Sequence, residues 1–272
     1  MKKAYFTLIL IVTMLSCNKR QESFTFVHMT DPQIGFMDTS ANYINSDTLM
    51  KAAVTAVNSL KPSYVFMTGD LVNEPTNMVQ DSIYRVRKAE LTSPVFEIPG
   101  NHDIRGYTKQ TRDFYLSLRG YDRFSFEGNG CAFVGFDSTC IKDGATQAEE
   151  EQFAWLEKEL ESYKDCAYTF VFLHCPIIRE KIDEEEDYSN FSLEKRERYL
   201  GLFKKYGVDA VFSGHCHQEW VSEYDGMGLY CAGPVGNALG HGTPGYNVVK
   251  VTKEGFTVEY VPTPGVARQH GR

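Results

Sequence analysis

Val95-Phe96-Glu97-Ile98-Pro99-Gly100-Asn101-His102-Asp103 is the stretch whose reading decides the fold. A short apolar run ends in a turn that sets an amide, an imidazole and a carboxylate in three successive positions. One such turn can arise by chance. Repetition gives it meaning. The run at 24–29 leads into Thr30-Asp31-Pro32-Gln33, and the run at 64–67 into Thr68-Gly69-Asp70. The run at 168–173 leads into His174-Cys175-Pro176, and the run at 208–212 into Ser213-Gly214-His215-Cys216-His217. Each run has the length and composition of a buried strand. In α/β sheets ligands gather beyond the carboxyl ends of strands, so five strands ending this way bring their polar residues together.

Helical patterns separate the runs. Leu49, Ala52, Ala53, Ala56, Val57 and Leu60 recur with helical spacing, and Lys61-Pro62 stops them. A mostly polar helix is expected over 77–91, another over 108–119 and another over 192–205. Thr146 and Glu149 read as a capping box opening a helix whose stripe is Phe153, Leu156, Leu160 and Tyr163, widened by Trp155. Gly128-Asn129-Gly130 marks a hairpin. The segment 219–261 reads as a β-meander broken at Gly233-Pro234-Val235-Gly236-Asn237. The class is α/β, with one domain over 24–262 and a frayed tail over 263–272.

The chain has 272 residues, 42% hydrophobic and 24% charged, which excludes disorder. Lys2-Lys3 followed by an apolar stretch from Phe6 to Leu15 reads as a signal peptide over 1–16, too short to span a bilayer. Cys17 stands where a bacterial lipoprotein signal places its acylated cysteine, with 17–23 as a tether; a simple secretory signal is the alternative. The expected location is therefore the cell envelope, periplasmic or extracytoplasmic, with the membrane as partner through a lipid anchor if Cys17 is acylated. The formal charge of −8 becomes about −10 after cleavage, 26 basic against 36 acidic side chains. No global field attracts nucleic acid, so any attraction for phosphate must be local. The six other cysteines are irregularly spaced and read as buried thiols.

Oxygen and imidazole donors together suit Mn²⁺, Fe or Zn²⁺ better than Ca²⁺. Asp31, Gln33, Asp70, Asn101, His102, His174, His215 and His217 are too many for one four-coordinate ion, whereas two ions sharing a carboxylate use them all. Of seven histidines, four lie in these blocks, a concentration that packing does not explain. His28 is off the face that ends in Asp31 and reads as a satisfied core histidine. His241, Arg105 and Arg179 read as surface residues that could still reach substrate. The acidic run 183–187 reads as a solvated loop or a lid favouring basic substrates, and Asn73 and Glu74 as a pocket rim.

The ordered blocks Asp-x-Gln, Gly-Asp, Gly-Asn-His-Asp, His-Cys-Pro and Gly-His-Cys-His resemble the calcineurin-like metallophosphoesterase superfamily. That superfamily usually carries His where Gln33 stands. The resemblance implies a four-layer α/β/β/α sandwich. It implies that Asp31, Gln33, Asp70 and His217 hold one divalent metal, and that Asp70 bridges to a second held by Asn101, His174 and His215. It implies His102 as the acid or transition-state stabiliser at the phosphate, with Asp103 orienting its ring. Two cations ~3.5–4 Å apart activate a bridging water and clamp the phosphate oxygens, so no protein nucleophile is needed. At Gln33 a neutral amide oxygen favours harder ions, Mn²⁺ or Mg²⁺; alternatively the side chain points away and water completes the site. The Asp-Pro-Gln block and the Gly-x-x-Leu-Gly pattern at 236–240 resemble a single-domain subgroup related to a eukaryotic protein phosphatase.

The expected function is hydrolysis of a phosphomonoester, on a phosphorylated small molecule or a phosphoprotein carrying phosphoserine or phosphothreonine. The alternatives are a phosphodiesterase of the same fold, a decayed phosphate-binding module, and a structural metal protein built around His215-Cys216-His217.

Overall fold

The computed structural model describes residues 23–266. The expected signal peptide, Cys17, most of the tether and the last six residues lie outside them. Among the described residues no helix is long and apolar enough to cross a membrane. Eleven strands among the described residues form two sheets. The first contains β1 (Phe24–Met29), β2 (Tyr64–Thr68), β3 (Val95–Ile98), β10 (Gly245–Thr252) and β11 (Gly255–Pro262), in the order β11-β10-β1-β2-β3. The second contains β4 (Phe124–Gly128), β5 (Cys131–Gly135), β6 (Tyr168–Phe172), β7 (Ala210–Ser213), β8 (Trp220–Tyr224) and β9 (Met227–Cys231), in the order β4-β5-β6-β7-β9-β8. The first sheet is parallel over β1-β2-β3 and antiparallel over β11-β10-β1, and the second is parallel over β5-β6-β7-β9 with an antiparallel pair at each edge.

Strand alternation sorts the side chains into layers. Phe26, Phe66, Phe133, Phe170, Phe172 and Phe212 face the other sheet and are fully buried. Phe26 meets Phe66, Phe133, Phe170 and Phe212 edge-on at 5.1 to 5.7 Å between ring centroids. Burial of one such ring contributes about 1.5–3 kcal/mol. Alternate positions face helices. Val27, Met29, Val65 and Met67 pack against α1 (Ile44–Leu60), α2 (Met78–Ala89) and α3 (Lys109–Arg119). Val134, Phe136, Val171, Leu173 and Val211 pack against α4 (Thr139–Lys142), α5 (Thr146–Ser162) and α6 (Leu193–Lys205). The result is the expected α/β/β/α sandwich.

His28 sits in the inter-sheet layer, fully buried, with Nε2 2.8 Å from Thr68 Oγ1 and Nδ1 3.2 Å from Asn247 Nδ2. Burial pushes its pKa down to about 3, so it is a neutral, satisfied core residue.

Three local expectations need correction. The buried stripe of α1 is Ser46, Met50, Ala53, Val54 and Val57, while Leu60 is exposed, so the helix is rotated from the reading through Leu49 and Leu60. Thr146 does not cap α5. Ala145 is the N-cap without a side-chain bond, and Glu149 is buried beside Lys195 and Arg198. The reciprocal box is at α3, between Thr108 and Thr111. The segment 219–261 is not one meander. The β8–β9 hairpin joins the second sheet beside β7, and the β10–β11 hairpin crosses to the first beside β1. The break at 233–237 makes that crossing. At the far end Thr263 is buried, and its N–H donates to the Pro244 carbonyl, so the chain remains anchored just past β11.

Candidate metal centre

The turns after β1, β2, β3, β6 and β7 meet at one end of the sandwich. The Asp31 N–H donates to the Gly69 carbonyl, the His215 N–H to Asp31 Oδ2, and the His102 N–H to Asp70 Oδ1. The backbone bends hard to do this. Asp31, Gln33, Asp70, His215 and His217 all have positive φ, from 33° to 71°. Non-glycine residues seldom adopt this region, and it costs of order 1–3 kcal/mol each time, so its recurrence at five candidate ligands marks a functional turn set. Gly100 allows a close approach: a Cβ there would lie 2.2 Å from Asp70 Oδ1.

Asp70, His174 and His215 offer ligand atoms within 4.8 Å of one another, and so do Asp31, Asp70 and His217. All five side chains are buried, and Asp70 belongs to both groups. Gln33 is buried beside the first of these carboxylates, with its Nε2 donating to Asn73 Oδ1 at 3.3 Å. Two oxygens here, Asp31 Oδ1 and Gln33 Oε1, are buried without any hydrogen-bond partner. An orphaned buried oxygen costs about 1–3 kcal/mol, a debt that a cation removes. The donor set and these two atoms fit a pair of divalent cations.

The histidines are held by backbone carbonyls, which fixes the nitrogen each presents. His174 Nδ1 donates to the Thr68 carbonyl at 2.7 Å and leaves Nε2, 3.0 Å from Asn101 Oδ1 and 3.4 Å from Asp70 Oδ1. His217 Nδ1 donates to the Asn237 carbonyl at 2.6 Å and leaves Nε2, 3.5 Å from Asp31 Oδ1. His215 Nε2 donates to the Tyr188 carbonyl at 3.1 Å and leaves Nδ1, 3.2 Å from His174 Nε2.

Charge follows this arrangement. Burial alone would raise Asp70, but His174 and then His102 outweigh it and hold the carboxyl well below its usual range. Burial would lower His174, but Asp70 and then Asp31 push it up to about 10. Burial, followed by the neighbouring His174, pushes His215 down to about 3. Asp31 is pushed up by burial against the pull of His174 and His217.

Asp103 does not orient His102. Its carboxylate accepts the N–H groups of Leu71, Val72 and Gly100 and so ties the β2 turn to the β3 turn. Burial and then Asp70 push it up to about 7 against those donors. His102 Nδ1 lies instead 3.0 Å from the Asn73 carbonyl and 2.9 Å from Arg105 Nη2. The carbonyl can only accept and the guanidinium only donate. When Arg105 donates to Nδ1, the ring's proton is on Nε2.

Arg105 is thus part of the site. Arg179 is not: it pairs with Asp187 and lies over Trp220. The carbonyls of Asn73 and Asn237 and the side chain of Tyr188 were not legible as site residues. Asn237 lies in the conspicuous break at 233–237, where Val235 and Gly236 donate to the Thr30 and Asp31 carbonyls. No sequence pattern singles out Tyr188. The six other cysteines remain thiols, Cys166 being the most exposed of them.

Fold and site together are those of a dimetal phosphoesterase. The chain belongs to the calcineurin-like phosphoesterase family, whose sequence signature matches residues 24–219. Serine/threonine-protein phosphatase CPPED1 of Rattus norvegicus is 31% identical over 263 residues, spanning 87% of this chain and 83% of that protein. The probable glycerophosphodiester phosphodiesterase GpdQ of Arcobacter nitrofigilis is 29% identical over 182 residues, 65% of each chain. The structure of a dimetal phosphatase from Danio rerio superposes with a TM-score of 0.67 at 15% identity, covering 88% of this chain and 96% of that one, which is a likeness of fold. The family is dimetal-dependent, and the chain is a metal-dependent phosphoric ester hydrolase.

Proposed function

We propose that this enzyme is a phosphomonoesterase for phosphoserine or phosphothreonine, working with two divalent ions. The observation that carries the reading is the pair of ligand groups joined at Asp70, with Asp31 Oδ1 and Gln33 Oε1 buried beside them without a hydrogen-bond partner. Asp31, Gln33, Asp70 and His217 would hold one ion, and Asp70, Asn101, His174 and His215 the other. Mn²⁺, Fe or Zn²⁺ suits both places, with Mg²⁺ an option at Gln33. Such a pair, when bound, activates water and neutralises charge on the phosphate. His102 in its imidazolium form would supply the proton to the leaving oxygen from Nε2 and keep the proton on Nδ1, which then donates to the Asn73 carbonyl beside Arg105.

A cavity of about 170 Å³ adjoins Asn101, His174 and His215 and is walled by Ser138, Thr139, Lys142 and Tyr188. Sites for drug-sized ligands run to roughly 300–1,000 Å³. The smaller space suits a short alcohol such as a seryl side chain better than a nucleoside. The likeness to the CPPED1 phosphatases supports the same substrate class. The likeness to GpdQ supports the second reading, a phosphodiesterase. A substrate panel with each metal separates them: phosphoserine and phosphothreonine peptides should turn over faster than glycerophosphodiesters or nucleotides. A preference for diesters would replace the first reading by the second.

Gln33 carries its own prediction. Gln33→His should tighten the first metal site several-fold, because imidazole nitrogen is the better donor to these ions. Metal titration of both proteins checks this; equal affinities would mean that Gln33 is not a ligand.

The location belongs to the same proposal. Lys2-Lys3, the apolar stretch after them and Cys17 support export and lipid anchoring in the cell envelope. Cys17→Ser should move the protein from the membrane fraction to the soluble one, and an unchanged distribution would reject the anchor.

A further inference from the structure

We propose that Tyr188 is a positioning residue that sets two ligands of the second metal site at once, Asn101 through its hydroxyl and His215 through its backbone carbonyl. The inference rests on the dimetal reading above and adds the 183–187 insert and its Tyr188 to that site.

An amide ligates through oxygen, so the two ends of the Asn101 side chain must be told apart. Asn101 Nδ2 donates to the Tyr188 hydroxyl at 2.8 Å, which turns Oδ1 towards His174 Nε2 at 3.0 Å. Tyr188 gives the NH₂ group an acceptor on the side away from the ligand cluster. The same residue accepts from His215 Nε2 through its carbonyl at 3.1 Å, so that Nδ1 is the nitrogen left for a metal. Its ring lies over the His215 ring, with centroids 4.5 Å apart.

A positioning residue must itself be held. The insert is clamped from beneath by two cations. Arg196, fully buried, donates to the carbonyls of Phe191 at 2.6 Å and Ile182 at 2.9 Å, and also to those of Glu184 and Glu185. Lys142 Nζ donates to the Asp187 carbonyl at 3.0 Å and to that of Asn190. Asn190, also buried, bonds the Asp187 N–H, the Glu185 carbonyl and the Glu184 carboxylate. These bonds run on both sides of Tyr188. The insert is therefore a fixed wall of the second site, in place of the solvated loop or lid its acidic sequence suggests. The first site, at Asp31, Gln33 and His217, has no bond to it.

The test is calorimetric titration of metal-free protein with Mn²⁺. Tyr188→Phe removes the hydroxyl and keeps the ring and the carbonyl. Tyr188 is 65% exposed, so the change leaves the core intact. Of the two binding steps, the one belonging to the second site should weaken about 10–100-fold while the other stays unchanged, the usual effect of losing a partner behind a metal ligand. In an Asn101→Asp background the loss should shrink, because both ends of a carboxylate are oxygens and there is nothing left to orient. Equal second-site affinity in wild type and Tyr188→Phe overturns the inference, as does an undiminished loss in the Asn101→Asp background. A wild-type chain that binds no Mn²⁺ overturns the dimetal reading, and this inference falls with it.

Discussion

Asp70→Asn should lower kcat/KM by about 10³-fold or more, with the fold retained. Asp70 is the one side chain common to both ligand groups, so its loss weakens both metals together. Charge stabilisation by such ions is worth several kcal/mol in the transition state, and each 1.36 kcal/mol is about a factor of ten. The variant's side chain fits the same space, and Gly100 keeps the turn close. Asp70 also has a role before metal arrives. Burial would lower His174, yet Asp70 raises it to about 10, so the metal-free pair holds a proton. Metal must displace that proton, and uptake should therefore release protons and weaken as pH falls. Steady-state kinetics, with circular dichroism to confirm the fold, checks the first claim. Retention of more than a tenth of wild-type activity would reject the sharing of Asp70.

His102→Ala should lower kcat by about 10²–10⁴-fold, the range for loss of a positioned proton donor, while leaving metal content unchanged. The separation follows from the geometry. The Nδ1 of the His102 ring faces the Asn73 carbonyl and Arg105, and only the backbone N–H of His102 hydrogen-bonds Asp70. That N–H survives in the variant. The loss should be smaller for an aryl phosphate, whose leaving oxygen needs little proton, than for an alkyl phosphate. A uniform loss across leaving groups would assign His102 to the charge on the phosphate, and loss of metal would make it a structural residue.

The strand ends were legible because they break a local rule. Asp, Asn and His directly after apolar runs are poor packing residues, and Asp31, Asp70, Asn101, His174, His215 and His217 all stand in such places. The layers were legible from alternation, as at Phe24, Phe26 and His28 against Val27 and Met29. What sequence could not give was direction within turns. Asp103 follows His102 in the chain, but the tight turn closed by the Asp103 N–H on the Gly100 carbonyl points its carboxylate back at Leu71 and Val72. The groups that orient His102, His174 and His217 are carbonyls, which every residue has, so no side-chain pattern announces them. Tyr188 comes from an insert without periodicity, and its place depends on Arg196 in the following helix and on Lys142, far away in the chain. The final strands read as one meander because hairpin turns are local signals. Which sheet each hairpin joins is decided by the crossing at 233–237.

The central claim is that turnover requires two ions held through a shared Asp70. Metal-free protein titrated with Mn²⁺ while phosphopeptide hydrolysis is followed tests it most directly. The account predicts that activity stays near zero through the first equivalent, rises with the second and reaches its plateau at two per chain. Full activity at one equivalent, or activity that persists with a chelator present, would contradict it.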